Sequence, residues 1–251
     1  MHIQKDANLS KDTFLNSQII TWQFKNGYRY SVDSILLASF YNTQKNDYII
    51  DVGTGCGIIS LLLCHWYPTI HITGVEIQSE LAQLAIRNAQ ENQFSDRFKI
   101  LQSDITILNK TAFPQPTTHI MANPPFYAVG RGRKNLIEQQ LLARHEVCLT
   151  MQQLVDSAYR LLNRGGKFLS IYPMERWTEF KNILNDNKFF ISRTCQVFAK
   201  QSHPPKLILV ESEKEGIGGI KEETSIIMYQ ENGRYTDEMI LLFSGVLPDR
   251  N

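Results

Sequence analysis

The sequence is short of several things at once. It has four cysteines in 251 residues, Cys56, Cys64, Cys148 and Cys195, and no two stand at C-x-x-C spacing. That excludes a zinc ribbon and a disulfide scaffold, and it points to reduced thiols in a cytoplasmic protein. No His, Cys or carboxylate group shows metal-ligand spacing, so no metal is expected. The longest apolar stretch, near residues 58–64, falls far short of the roughly 20 residues a bilayer span needs, so no membrane span is expected. The N-terminus has no basic region followed by an apolar run, which argues against a signal peptide. Neither sign of charge dominates, because 26 basic and 25 acidic residues leave a net charge of +1. A uniformly basic coat and a disordered polyelectrolyte are both excluded. Internal repeats and low-complexity linkers are missing as well.

What is present is strand–helix alternation. Apolar and β-branched runs predict strands at 47–51, 70–76, 98–101, 118–122 and 167–172. Helical spacing predicts helices at 57–66, 79–92 and 147–162, the last stopped by Asn163-Arg164-Gly165-Gly166. Short connections between such elements imply a parallel sheet with helices on both faces. Two later strands, 189–198 and 207–213, flank Ser202-His203-Pro204-Pro205 and leave no room for a crossover helix. They read as an antiparallel hairpin closing the sheet. Residues 1–46 form an N-terminal extension to one domain at 47–251. A strand at 19–24 with Asn26-Gly27 as its hairpin turn, and a helix at 32–41, are expected there.

Between the first core strand and first core helix stands Asp51-Val52-Gly53-Thr54-Gly55-Cys56-Gly57. Glycines at alternate positions let backbone approach a ligand closely and permit positive φ. The helix N-terminus that follows favours a negative group. Glu76 ends the next strand, where a carboxylate can accept from both hydroxyls of a ribose. Three readings fit: a dinucleotide fingerprint, a plain glycine turn, or a nucleoside-cofactor loop of another kind. The phasing G-x-G-x-G departs from the dinucleotide pattern G-x-G-x-x-G. The run D-V-G-T-G-C-G with strand-terminal Glu76 resembles motifs one and two of the class I methyltransferases. The resemblance implies a Rossmann-like fold, a seven-stranded and mostly parallel sheet, and S-adenosylmethionine as cofactor. It also implies that Asp51, Gly53, Gly55, Gly57 and Glu76 form the cofactor site, that Asp104 accepts from the adenine amine, and that Ile77 and Ile105 cover the faces of that ring.

Asn123-Pro124-Pro125-Phe126 ends the fourth core strand. Consecutive prolines cannot donate backbone hydrogen bonds and lock φ, so the strand must stop in a stiff loop. An amine on an aromatic base is a poor nucleophile, because its lone pair is delocalised into the ring. Two acceptors aimed at its hydrogens favour a pyramidal nitrogen. The Asn123 side-chain oxygen and the Pro124 carbonyl are suited to that task, and Phe126 to stacking on the base. Catalysis would be positioning and electrostatics, without metal or covalent nucleophile. The tetrapeptide is similar to that of amino-group methyltransferases, whose targets include adenine N6, guanine N2 and a protein glutamine amide.

Residues 27–38, Gly-Tyr-Arg-Tyr-Ser-Val-Asp-Ser-Ile-Leu-Leu-Ala, narrow the choice. They resemble a segment of the bacterial tRNA1(Val) adenine-37 N6-methyltransferases, as do Ala143-Arg144-His145-Glu146 and Leu162-Asn163-Arg164-Gly165-Gly166-Lys167. Many members carry Tyr where this chain has Phe126, which keeps the stacking face. The resemblance implies that Asp33 packs at the methionine end of the cofactor, with Asn123 also at the cofactor, and that the substrate is tRNA. A non-catalytic RNA-binding module and an enzyme acting on guanine or glutamine are the alternatives; a monomer is expected.

Charge by segment agrees with a nucleic-acid partner. Residues 1–126 hold 9 basic and 10 acidic side chains, 127–206 hold 13 and 6, and 207–251 hold 4 and 9. The basic block begins just after the tetrapeptide. Within it, Arg131, Arg133, Lys134, Arg144, His145, Lys200, His203 and Lys206 are candidate RNA contacts.

Overall fold

A sheet built of parallel strands has all its strand ends on one edge, and this fold uses that edge. The computed structural model describes residues 8–27, 29–42, 46–124, 149–217, 220–222 and 225–247. Five parallel strands come first: β3 (Tyr48–Val52), β4 (His71–Glu76), β5 (Phe98–Gln102), β6 (Thr117–Ala122) and β7 (Leu162–Pro173). Then β8 (Phe189–Phe198) and β9 (Pro205–Lys214) add the closing hairpin, with β9 antiparallel to both neighbours. The order across these strands is β5-β4-β3-β6-β7-β9-β8; all seven predicted strands are there, but the sheet has nine, not the seven expected. Two further two-residue pieces, β10 (Lys221–Glu222) and β11 (Ile226–Ile227), pair with the outer edge of β8. The order of succession reverses between β3 and β6, and a ligand crevice belongs at such a switch point.

Helices cover both faces. On one side lie α1 (Val32–Phe40), α2 (Ile58–Trp66) and α3 (Ser79–Glu91), with Leu36, Leu62 and Ala85 among the buried contacts. On the other lie α4 (Met151–Leu161) and α5 (Trp177–Asp186), packed through Val155, Leu161, Phe168 and Phe180. A terminal helix, α6 (Asp237–Ser244), returns Met239 and Leu242 to the first side.

Several expectations need correction. The N-terminal hairpin pairs β2 (Ile19–Phe24) with the strand before it, β1 (Leu9–Phe14). The turn is at Leu15-Asn16-Ser17, all at positive φ, and not at Asn26-Gly27. Buried Leu15 pins this strained turn into the core. Helix α4 starts at Met151, because Thr150 and Gln153 form a reciprocal capping box. The helix ends at Leu161, just ahead of residues 163–166 as expected, but these residues form no loop and lie inside β7. Gly165 at φ 75 and a register shift opposite Thr117/His119 let the strand absorb them. Helices α5 and α6 lie where no element is predicted.

The outer edge of β2 meets α3 through side chains. Asn92 exchanges two hydrogen bonds with the Ile20 backbone (2.8 and 2.6 Å), and Asn88 does the same with Trp22 (2.8 and 3.0 Å). Asparagines four apart in a helix share a face, so they match alternate residues of a strand. Two carboxamides, one on α3 and one at its C-cap, thus act as a missing strand and attach the β1–β2 hairpin to α3.

Candidate active site

Four loops leave the same edge of the sheet, after β3, β4, β5 and β6, and they carry the glycines, Glu76, Ile77, Asp104, Ile105 and Asn123 at or just beyond the strand ends. The first is the glycine loop. Gly53, Gly55 and Gly57 all have positive φ (68, 59 and 90°). At Gly53 a side chain would meet nothing within 4 Å, so the conformation and the open space above it are what call for glycine. At Gly57 a Cβ would lie 2.9 Å from the Phe98 ring, so the loop could not pack on β5 with any larger residue. The Gly53 and Thr54 amides donate to the Val75 carbonyl (2.8 and 3.2 Å), which holds the loop over β4.

Two carboxylates organise this loop. Glu76 is buried; its Oε2 accepts from the Gly55 amide and its Oε1 from the Gln78 amide, both at 2.9 Å. Asp51 is 0% exposed, and its Oδ2 accepts from Thr54 Oγ1 (2.6 Å) and Ser60 Oγ (2.7 Å). Its Oδ1 has no hydrogen-bond partner among the described residues. Burial drives the Asp51 carboxyl up from 3.8 to about 6; the two hydroxyls oppose the rise and nearby Glu76 adds to it. Asp51 therefore lies beneath the loop rather than on its open side.

The remaining cofactor candidates surround the loop. Ile77 is 43% exposed beside Glu76, a large apolar side chain facing solvent at the crevice edge. Asp104 follows β5 and caps a short turn, its Oδ1 accepting from the Thr106 amide (2.8 Å) and hydroxyl (2.7 Å). Ile105, next to it, is buried. Asp33 is half-buried in the first turn of α1; desolvation raises its carboxyl, while the Ser31 side chain and its own backbone amide work against that.

Asn123 leaves the end of β6, half-buried with Pro124. Its Nδ2 donates to Ser34 Oγ at 2.9 Å, which joins the fourth loop to α1. Just before it, the Ala122 carbonyl accepts from Ser170 Oγ at 2.9 Å, so the strand end is pinned to β7. Pro125, Phe126, Arg131, Arg133, Lys134, Arg144 and His145 lie outside the described residues. Lys200, His203 and Lys206 lie at the β8–β9 turn, which returns to the same edge because β9 is antiparallel. There Lys200 Nζ donates to the Glu231 carbonyl (2.9 Å), and Ser202, bonded to His203, donates to the Glu231 carboxylate (3.0 Å). Lys206 is exposed.

Several working residues were not singled out from sequence: Thr54, Ser60, Ser34, Ser170 and Asn88. Asn88 Nδ2 donates to the Cys56 carbonyl (2.8 Å) as well as to β2, so it ties the N-terminal hairpin to the glycine loop. Its one signal was a polar residue on the buried stripe of α3. Among the described residues no group of three His, Cys, Asp or Glu side chains could hold a metal ion, and no helix is long and apolar enough to cross a membrane.

Comparison with known proteins bears on this geometry. The chain is 26% identical to the tRNA1(Val) (adenine(37)-N6)-methyltransferase of Vibrio parahaemolyticus, over 87% of this chain and 88% of that one. It is 29% identical to the protein of the same name from Histophilus somni, over 82% and 84%. Among solved structures, Atu636 of Agrobacterium tumefaciens, named as a predicted O-methyltransferase, shares the fold with a TM-score of 0.67. That likeness is at 19% identity and covers 85% of this chain and 96% of that one. The model of the methyltransferase small domain matches residues 30–201, from the start of α1 through the glycine loop and Asn123 to the end of β8, and the chain belongs to that family.

Proposed function

We propose that this protein methylates the N6 amine of an adenine in tRNA, adenine 37 of tRNA1(Val), with S-adenosylmethionine as donor. The observation that carries the reading is Asn123. It leaves the strand edge where the glycine loop, Glu76 and Asp104 also open, and its amide nitrogen is held by Ser34, which would leave its oxygen for a substrate. The shared name of the Vibrio and Histophilus relatives supports the substrate.

The residues fit the cofactor. Space over Gly53 admits a ligand against bare backbone. Glu76 would take the ribose hydroxyls, Asp104 the adenine amine, and Ile77 one face of the ring, which would bury an apolar side chain now exposed. Asp33 and the loop over Asp51 would hold the methionine end. When bound, S-adenosylmethionine supplies an electrophilic methyl on a sulfonium. The protein's own contribution is placement. Asn123 Oδ1 and the Pro124 carbonyl would accept from the two amine hydrogens and localise the nitrogen lone pair, with Phe126 the residue whose ring type suits stacking on the base. A base in folded tRNA must be splayed out to arrive there. The basic side chains of 127–206, Lys200 and Lys206 among them, would meet phosphate in a salt-sensitive contact. A tRNA substrate also accords with a cytoplasmic protein and buried free thiols at Cys56, Cys64 and Cys195.

The test is labelling of total tRNA from a strain lacking the protein, followed by nucleoside mass spectrometry. Wild type should produce N6-methyladenosine in tRNA. Asn123→Ala should lose at least about 100-fold in rate, the scale of removing one group aimed at a transition state, while keeping cofactor affinity. Label in ribosomal RNA or protein with none in tRNA would overturn the substrate; a fully active Asn123→Ala would overturn the chemistry.

A further inference from the structure

A carboxamide has two ends of similar shape and opposite hydrogen-bonding character. If Asn123 serves as an acceptor, its oxygen must face the amine; rotated by half a turn, it would set its own N–H groups against the hydrogens of the substrate. The substrate amine itself favours the first orientation, and the carboxamide must in addition be held in place against it. Among the described contacts of Asn123, the side-chain bond is the 2.9 Å donation from Nδ2 to Ser34 Oγ. Ser34 is 1% exposed, and water is therefore a poor substitute for it. It is carried by the first turn of α1, a helix buried from Ser34 through Phe40, so its position is set by core packing. Asp33, the adjacent residue in that turn, is a candidate for the cofactor's methionine end. One turn of helix thus addresses the donor side and the acceptor side of the transfer.

We infer that Ser34 is a positioning residue for methyl transfer: its hydroxyl, which accepts from the Asn123 amide, tethers one end of the carboxamide and so holds the other end against the substrate amine. The inference rests on the reading of Asn123 given above. In the productive orientation every polar atom is satisfied, with Nδ2 on Ser34 and Oδ1 on the amine. In the rotated one a donor faces a donor. Without a hydroxyl at position 34 the carboxamide loses its anchor in either orientation, and it spends less time set against the amine. The effect falls on the rate of transfer, because neither substrate nor cofactor touches Ser34 in this scheme.

The experiment compares single-turnover rates of tRNA methylation for wild type, Ser34→Ala, Ser34→Cys, Asn123→Ala and the double variant Ser34→Ala/Asn123→Ala. Calorimetric cofactor affinity and melting temperature are measured on each. Ser34→Ala should slow transfer about 3- to 10-fold, the rate equivalent of one ordinary hydrogen bond. Its KM for tRNA and its cofactor affinity should stay within about 2-fold of wild type, as for an interaction that acts only in the transition state. Ser34→Cys, the same in shape though larger and weak both as donor and as acceptor, should show the same loss in a folded protein even if the alanine variant melts early. In the Asn123→Ala background, Ser34→Ala should cost nothing further, because the residue it acts through is gone. Wild-type rates in Ser34→Ala and Ser34→Cys beside an inactive Asn123→Ala would overturn the role of Ser34 and leave Asn123 standing. Additive losses in the double variant would also overturn it. Full activity in Asn123→Ala would instead remove the reading on which it rests.

Discussion

Asp51 and Glu211 lie in one row of the sheet and meet opposite fates. Asp51 on β3 pairs with Met121, Met121 with Leu169, and Leu169 with Glu211 on β9. They are 0% and 1% exposed. Around Glu211 the neighbouring strands supply cations: Arg193 on β8 at 2.6 Å and Lys167 on β7 at 3.0 Å, with Ser192 Oγ at 2.8 Å. Burial pushes its carboxyl up, but Arg193 and Lys167 outweigh burial and hold it below its ordinary value. Around Asp51 there are hydroxyls and the like-charged Glu76, so burial wins and the carboxyl rises. The paired acid sits in the closing hairpin, where it locks β7, β8 and β9 together. The acid without a cation sits under the glycine loop. An electrostatic deficit there is tolerated at the place where a ligand is expected, in line with strain being kept at functional sites.

The largest effect expected from this contrast is at Glu211. Glu211→Gln keeps the volume and removes the buried charge that Arg193 and Lys167 face. Breaking a buried pair from one side costs about 3–5 kcal/mol. Because the folded carboxyl titrates below its unfolded value, its contribution is present above that value and lost as pH falls through the folded one. Urea unfolding should therefore show the full deficit near about pH 7 and a shrinking one below about pH 4. A deficit that holds constant with pH would show that packing, not charge, is what Glu211 supplies.

The same contrast explains what could be read from sequence. The glycine loop, Glu76, Asp104 and Asn123 were legible because each is bound to a strand end, and strand ends follow from apolar runs and their stops. The parallel order and the closing hairpin followed from the lengths of the connections. The hairpin turn at Leu15-Asn16-Ser17 was not legible, since its left-handed backbone is imposed by the burial of Leu15 and Asn26-Gly27 is the stronger local signal. Helix α5 was missed although its core face is sound, because Phe180 and Leu184 are its two buried residues and so short a stripe is a weak period. Ser34, Ser60, Asn88 and Ser170 work by reaching partners 89, 9, 32 and 48 residues away in sequence, and no local pattern marks such pairs.

Asp51→Asn tests the other side of the comparison, with a smaller effect of opposite sign. The folded carboxyl titrates at about 6 against an ordinary 3.8, so its charged form opposes folding. Stability from protonated Asp51 is complete below the unfolded value and lost as pH rises through about 6. The asparagine variant cannot ionise. It should lie about 1 kcal/mol below wild type near about pH 4, where an amide nitrogen with no partner is its whole effect, and exceed wild type by about 1–2 kcal/mol near about pH 8, where the lost ionisation outweighs that cost. Thermal melts across that range give the difference directly. Cofactor affinity should fall as the loop loses its charged anchor, a gain in stability at a cost in function. A variant less stable than wild type at every pH would place Asp51 with Glu211 as a structural acid.

The finest test removes a hydroxyl instead of the acid. Ser60 Oγ lies 2.7 Å from Asp51 Oδ2 and, with Thr54, stands in for the missing cation. Its bond is worth more to a carboxylate than to a neutral acid, because charge-assisted bonds are about twice as strong as neutral ones. Ser60→Ala should therefore cost about 1 kcal/mol near about pH 8 and roughly half of that once Asp51 is protonated. The same substitution should move the Asp51 titration above its present value of about 6, observable as a shifted midpoint of its carboxyl carbon resonance. Together the cost and the midpoint are one measurement made twice, since whatever free energy the hydroxyl gives the charged form in excess of the neutral one must appear as the change in pKa. A cost independent of pH, or a midpoint that stays in place, would mean that Thr54 alone carries the charge and that Ser60 merely fills space beneath the loop.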